Sequence, residues 1–406
     1  MAVSWMDQLR ADPAMQELLR RIEGGGLVEL EPLNQTAAVV LAAATSQMGS
    51  SGSIGPLIFV TAHLDAVDDA ADEAAGLLRD QAVAGLSTYV FPAQQSLPGM
   101  DQTSPEILSQ RLHVQQQFLL GVPAGLVVCS AASLMQSLPA PDDIAHLVQP
   151  LEVGQKIDRA GLLSWLDQAG YRRVESIDGA GQFAVRGGIV DLFPGLGMPV
   201  RLDLFGDEIE SLHEIDLDTL GSDRRIDRLE VIAVDIDQSN WANGVTLAEV
   251  LPESALVILS DIGELAEQGR SYLNRVHDQT GLLTWEEVQA TCLERAKCVC
   301  AIRSQDAPGD KTSHALPLKS SPVLDPLCGP LDQLRKLVAD QHIVVTCQNH
   351  GESQRLEEIL GQDEAVAARV QIELRYLRES FVVATDQGSH MVLPHDELMG
   401  RHGLRR

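Results

Sequence analysis

Between Gly181 and Thr219 apolar residues fall at alternate positions, and glycine or proline stands wherever the alternation breaks. Period two is the mark of a half-buried strand. Phe183 and Val185 share one face, with Ala184 and Arg186 on the other. Gly187-Gly188 supplies backbone freedom for a turn, Ile189 to Phe193 resumes an apolar strand, and Pro194 ends it. Val200 to Phe205 is the next predicted strand and Gly206-Asp207 the turn after it. Ile209, Ser211, His213 and Ile215 then carry period two into a third. Upstream, Asp158 is placed to cap a helix from about Arg159 to Ala169, which Gly170 stops. The predicted unit is a compact α+β module built on a small antiparallel meander.

On either side the rhythm changes. From Met1 to about Pro141 the pattern predicts helices at Met6 to Ile22 and Ala66 to Val83. They alternate with apolar strands at Ala37 to Ala43, Leu57 to Thr61, Ser87 to Phe91 and Leu126 to Cys129. Such alternation belongs to an α/β domain with a mostly parallel sheet. PAPDD, Pro139 to Asp143, reads as a linker. From Val231 to about Ser304, the apolar runs VIAV and ALVIL alternate with helices at Ile262 to His277 and Trp285 to Ala296. A Ser/Pro/Gly-rich stretch, Ser304 to Pro322, marks a second boundary. Pro330 to Arg406 then reads helix, strand IVVTC, helix, strands VQIELRYL, FVVAT and MVL, and a short helix from about His395. There is no internal repeat.

Composition narrows the function classes. With 406 residues, 45% of them hydrophobic, the chain can bury two to four cores. No apolar run is long enough to span a bilayer and MAVSWMDQLR lacks a signal pattern, so a cytoplasmic protein with no membrane partner is expected. A formal charge of -28 argues against a nucleic-acid surface as the main feature, because phosphate contacts need clustered Lys and Arg. The lysines are Lys156, Lys297, Lys311, Lys319 and Lys336, and none follows a glycine. A nucleotide loop ends in Gly-Lys-Ser/Thr, where the lysine reaches the β and γ phosphates, so this chain carries no Walker A motif. Gly24-Gly25-Gly26 precedes a predicted strand and the Gly49 to Gly55 run opens one, whereas a phosphate loop follows a strand and opens a helix.

Other candidate chemistry is sparse. Cys292, Cys298 and Cys300 lie close in sequence without a second pair at zinc spacing, and with Cys129, Cys328 and Cys347 they read as reduced, mostly buried thiols. His390, His395, Asp396 and Glu397 could be drawn as a metal cluster, but a solvated loop leading into the terminal helix is the expected arrangement. Asp191 and Asp203, on neighbouring strands, suggest an acid/base couple. Their plainer role is as surface partners of Arg186 and Arg201.

GYRRVESIDGAGQFAVRGGIVDLFP followed by PVRLDLFGDEIESL resembles the UvrA-interacting module shared by UvrB and the transcription-repair coupling factors of the Mfd family, over roughly Leu151 to Ile226. LPGMDQTSPEILSQRLHVQQQFL, VVCSAASLMQSLP and FVVATDQGSHMVLPHDELMGRH are more weakly similar to the coupling factor's first and third domains. The resemblance implies an α/β chain: a degenerate UvrB/helicase-like parallel-sheet domain with the α+β module inserted, plus a C-terminal small α/β domain. The implied division is 1–143, the UvrA-interaction module 144–227, a return to the first domain over 228–304, a linker 305–322 and the third domain 323–406. UvrB's damage-probing tyrosine hairpin has no counterpart, since Tyr89, Tyr171, Tyr272 and Tyr376 are dispersed.

The function so implied is that of a non-enzymatic N-terminal portion that recruits UvrA to stalled transcription. No cofactor is expected in this chain. ATP and Mg²⁺, RNA polymerase and DNA would be met only through missing motor and polymerase-binding domains, and the module would also contact that motor within the same chain. Arg172 and Arg186 occupy the positions of UvrA-contacting arginines, with Phe193 on the same strand pair and Arg173 and Arg201 as neighbours. The alternatives are a UvrB-like ATP-dependent repair enzyme and a purely structural scaffold.

Overall fold

A computed structural model of the chain describes residues 4–48, 55–79, 87–94, 104–121, 125–217, 219, 221–236, 244–277, 279–305, 313–321, 324–325, 328–339, 341–386 and 388–400. Most of the Gly49 to Gly55 run, the end of the helix expected to reach Val83, Lys311 and the terminal HGLRR fall outside those residues. The architecture is mixed α/β: one six-stranded parallel sheet and further sheets that are wholly or partly antiparallel.

The parallel sheet runs in the order Gly26–Leu30, Cys298–Ile302, Leu256–Leu259, Leu57–Thr61, Leu126–Ser130, Thr88–Phe91. Its inner strands are near-continuous apolar runs because helices cover both faces. One face packs against Trp5–Ala11, Pro13–Gly24, Gln35–Met48 and Ala66–Arg79. The other meets the Val114 and Phe118 side of Pro105–Leu119 together with Ala131–Met135, Ile262–Arg275 and Trp285–Arg295. Strands from both sides of the Gly181 segment thus join one sheet.

Three predicted features come out differently. The helix expected over Met6 to Ile22 is two, because Asp12 accepts a hydrogen bond from the Ala14 amide at 2.9 Å and Pro13 starts afresh without needing an amide partner. The strand expected at Ala37 to Ala43 is part of the helix Gln35–Met48, buried on every side between the parallel sheet and the C-terminal sheet. All-round burial removes the 3.6-residue period that would have announced a helix. The PAPDD linker is instead largely helical: Pro141 opens the helix Pro141–Leu147, which buries Ile144.

The alternating segment forms the six-stranded sheet Arg172–Arg173, Gln182–Arg186, Ile189–Phe193, Val200–Phe205, Glu208–Ile215, Ser222–Ile226 in that spatial order. Every pair is antiparallel except the first, which is parallel. Phe183, Val190, Leu192, Val200, Leu202 and Leu212 form its inner face, against Leu162 and Leu166 of the helix Arg159–Gln168 and Leu108 and Leu112 of Pro105–Leu119. Arg228–Ile232, placed by its sequence at the start of the next segment, pairs antiparallel with Val148–Glu152 and closes this core through Val231 and Leu151.

The C-terminal sheet has the order Leu318–Ser320, Phe381–Thr385, Gly388–Pro394, His342–Cys347, Val370–Leu374, the last three parallel. Leu318–Ser320 lies inside the stretch expected to be linker, and it is recruited as an edge strand by Phe381–Thr385. Among the described residues no helix is long and apolar enough to cross a membrane.

Candidate protein-docking site

Gly170 makes the site's first turn. Its φ of 86° ends the preceding helix, and a Cβ there would lie 2.3 Å from that of Asp235, so only glycine fits without a shift. Tyr171 then turns inward, its hydroxyl donating to the Ile232 carbonyl at 2.7 Å. The Arg172 amide donates to the Gly181 carbonyl at 2.8 Å, which seats the two-residue edge strand. Arg172 and Arg173 are both exposed.

Register decides which face each side chain occupies. Arg172 pairs with Gln182, and Gln182 with Phe193, so Arg172, Phe193 and Arg186 share the face turned away from the module's core. Arg186 stands four residues along the strand from Gln182, roughly 13 Å at about 3.3 Å per residue. Arg173 pairs with Phe183 and so projects to the opposite side. The sequence grouped it with Arg172, but neighbours on a strand face apart.

The outward face is not bare. The segment after Val174 folds across it: Ile177 packs with Ala184, Ile215 and the half-buried Phe193 as a small separate cluster. Gln182 accepts from the Asp178 amide at 2.9 Å, and Arg186 Nη2 donates to the Glu175 carbonyl at 2.9 Å. Arg172 and Arg186 therefore flank a small apolar patch in which Phe193 is an anchor.

Arg201 has a different position. Its Nε and Nη2 donate to Asp191 Oδ1 and Oδ2 at 2.6 and 2.9 Å, and the Asp191 side chain is only 7% exposed. These hydrogen bonds raise the arginine's already high pKa. Such a two-point pair is geometrically specific and already satisfied within the sheet. Asp203 accepts from Ser211 Oγ at 2.7 Å, and His213 lies 3.8 Å from it. The two carboxylates are thus committed to separate partners, and Asp191 meets Arg201 as expected. Arg186 does not pair with either.

One residue of the same face escaped the sequence reading. Arg225 is exposed and falls in the row Ala184, Asp191, Arg201, His213, Arg225 that crosses five strands. Its only signal is an arginine at a strand position of SDRRI. Its neighbour Arg224 is tied to Glu214, with Nε to Oε2 at 2.9 Å, and lowers that carboxyl's pKa.

The remaining candidates divide. Gly25 and Gly26, with φ of 78° and 86°, connect a helix to a strand, the reverse of a phosphate loop. Cys129, Cys292, Cys298, Cys300 and Cys347 are buried free thiols, and burial pushes Cys292 up to about 12. The histidine group does not assemble as drawn: His390 stacks on His342 and contacts Gln8, while Glu397 accepts from the amide and hydroxyl of Ser380. Nor is His395 in a solvated loop, since it is 2% exposed.

A sheet whose outward face carries spaced arginines around an aromatic anchor has the make-up of a protein-binding module. Residues 150–235 match the UvrB interaction domain family. The matched segment includes the Arg228–Ile232 strand that completes the module's core.

Over about half of its length or less, the chain is similar to transcription-repair-coupling factors. It is 33% identical over 223 residues to that of Mycobacterium bovis, covering 51% of this chain and 17% of the relative. The factor of Haemophilus influenzae is 38% identical over 133 residues, 32% of this chain and 11% of the relative. That of Staphylococcus epidermidis is 32% identical over 144 residues, 35% and 12%. The chain thus matches about a sixth, or less, of the length of these relatives.

Proposed function

We propose that this chain binds UvrA through the outward face of its six-stranded sheet and so recruits it to stalled transcription complexes in transcription-coupled nucleotide-excision repair. The observation that carries this reading is the placement of exposed Arg172 and Arg186 on one outward face, with Phe193 in the cross-strand row of Arg172, inside the segment matched by the UvrB interaction domain family. The similarity to transcription-repair-coupling factors supports the setting. Arg201 supports the surface from within, and Arg225 extends it.

The chain itself acts without a cofactor and does not hydrolyse ATP, a reading supported by the absence of any Gly-Lys pair in its sequence. ATP and Mg²⁺ use, and contacts with RNA polymerase and DNA, belong to lengths of the related factors that this chain does not match. The protein works in the cytoplasm, and the module also meets the motor within the parent polypeptide.

A pull-down with cognate UvrA tests the assignment by comparing the native chain with Arg172→Ala/Arg186→Ala. Native binding reduced at least tenfold by the double substitution is expected, since two interface arginines are each worth about 1 kcal/mol or more. Equal binding by both proteins sinks the arginine assignment, and no binding by the native chain sinks the recruiting role. Fluorescent ATP titrated into the same preparation is expected to show no saturable micromolar binding.

A further inference from the structure

We infer that the C-terminal domain holds a divalent transition-metal ion, of the manganese or zinc kind, between Glu352, His395 and Asp396. The three side chains come from two helix starts at one edge of the sheet, His350–Leu360 after strand His342–Cys347, and His395–Leu398 after strand Gly388–Pro394. Those strands are parallel neighbours, so both helices begin beyond their carboxyl ends, where α/β sheets present a crevice to ligands.

One ligand atom from each residue lies within 4.8 Å of the other two. His395 Nδ1 is 3.7 Å from Glu352 Oε2 and 3.8 Å from Asp396 Oδ1. Both separations exceed a hydrogen bond. They approach the roughly 3.4 Å that separates tetrahedral ligands when each bond to the metal is about 2.0–2.1 Å. For the two histidine–carboxylate pairs, binding a small cation needs only a few tenths of an ångström of contraction, and the two carboxylates, within 4.8 Å of each other, close on it from either side.

Outer contacts orient the carboxylates. Glu352 Oε2 accepts from the Gln348 amide at 2.8 Å and Oε1 from Asn349 Nδ2 at 3.1 Å, while Gln348 Nε2 reaches Asp396 Oδ2 at 3.4 Å. Such second contacts are what hold metal-binding side chains in place. The histidine ring is buried, whereas the Asp396 side chain is 34% exposed, giving the ion an entry side and water the remaining coordination positions. One imidazole and two carboxylates suit manganese or zinc better than a thiol-seeking ion.

Manganese titration of the chelator-treated full chain, followed by electron paramagnetic resonance, tests this. One saturable site is expected, weakened at least about tenfold in Asp396→Asn and in Glu352→Gln. His395→Ala should abolish it, and circular dichroism on each variant separates lost binding from lost folding. Cobalt should give a nitrogen/oxygen spectrum without thiolate charge-transfer bands. Thiolate bands, no saturable manganese site in the native chain, or unchanged affinity in both folded carboxylate variants would overturn the site, the last two leaving the three residues as a histidine held by carboxylates alone.

Discussion

Arg172 and Arg201 differ in what holds them. Arg172 stands exposed at a sheet edge, while Arg201 is clamped by a buried aspartate. Removing the two should therefore have different consequences. Arg201→Ala strands Asp191 and is expected to cost about 2–4 kcal/mol of stability, because breaking a buried pair leaves an uncompensated charge. Urea unfolding measures this, and the double variant Asp191→Ala/Arg201→Ala should regain part of the loss. A midpoint for Arg201→Ala equal to the native one would show that the pair is not structural. Arg172→Ala should leave the midpoint within about 0.5 kcal/mol of native. Alternation in the sequence places Arg201, and the family resemblance singles out Arg172; the sequence offered Asp191 and Asp203 as partners of Arg186 and Arg201, and register decides that Asp191 takes Arg201 while Arg186 takes neither.

Among the elements, the meander was legible and the helix Gln35–Met48 was not. Each strand of the meander has one buried and one outward face, so period two survives in the sequence. The helix is enclosed between two sheets, and a helix buried all round reads like an apolar strand. Asp12-Pro13 and Pro141 show a related lesson: proline marks a break, but whether the chain then turns or starts a helix depends on the surface available to bury the next side chains. The turn at Gly170 gives a prediction at this scale. Gly170→Ala forces a side chain into a left-handed conformation beside Asp235 and is expected to cost about 1–3 kcal/mol, read as a lowered unfolding midpoint. The same substitution at Gly187, whose added Cβ would meet nothing within 4 Å, carries only the conformational part of that cost, so a larger loss there would contradict the crowding argument.

Across the whole molecule, two contacts tie the parts together, and neither was visible in sequence. Arg111, fully buried, donates to the Pro92 carbonyl at 2.8 Å and Gln136 Oε1 at 3.1 Å and stacks over Phe91, while Leu108 and Leu112 of the same helix pack against the inner face of the sheet that contains Arg172 and Arg186. Burial lowers its pKa to about 9. Glu73 sits where the N-terminal helices meet the C-terminal domain, accepting from Thr36 Oγ1 at 2.7 Å and the Arg378 amide at 2.6 Å. Burial raises its pKa from 4.5 to about 7, against those hydrogen bonds and with Glu379 and Asp69 adding to the rise. A folded pKa above the unfolded one means that the folded state holds the proton more tightly, so this contribution is present below pH 4.5 and is lost as pH rises to about 7. At about 1.4 kcal/mol per unit the loss is at most roughly 3 kcal/mol. Glu73→Gln keeps an acceptor and removes the proton, so its stability should gain on the native chain between pH 5.5 and 7.5 in urea titrations. Parallel pH profiles for the two proteins would show that Glu73 does not titrate there.

The sequence by itself determined the meander, its turns, the outward placement of Arg186 and the lack of a phosphate-binding lysine. These depend on residues within a few positions of one another or on residue type alone. Only the tertiary structure decided that Arg172 sits on an outward edge with Arg173 facing away from it, that Asp191 and not Asp203 holds Arg201, that residues on both sides of the module share one sheet, and that Glu352 approaches His395. Each of those rests on which strand lies beside which, and strand order is chosen by the burial of surfaces far apart in the chain.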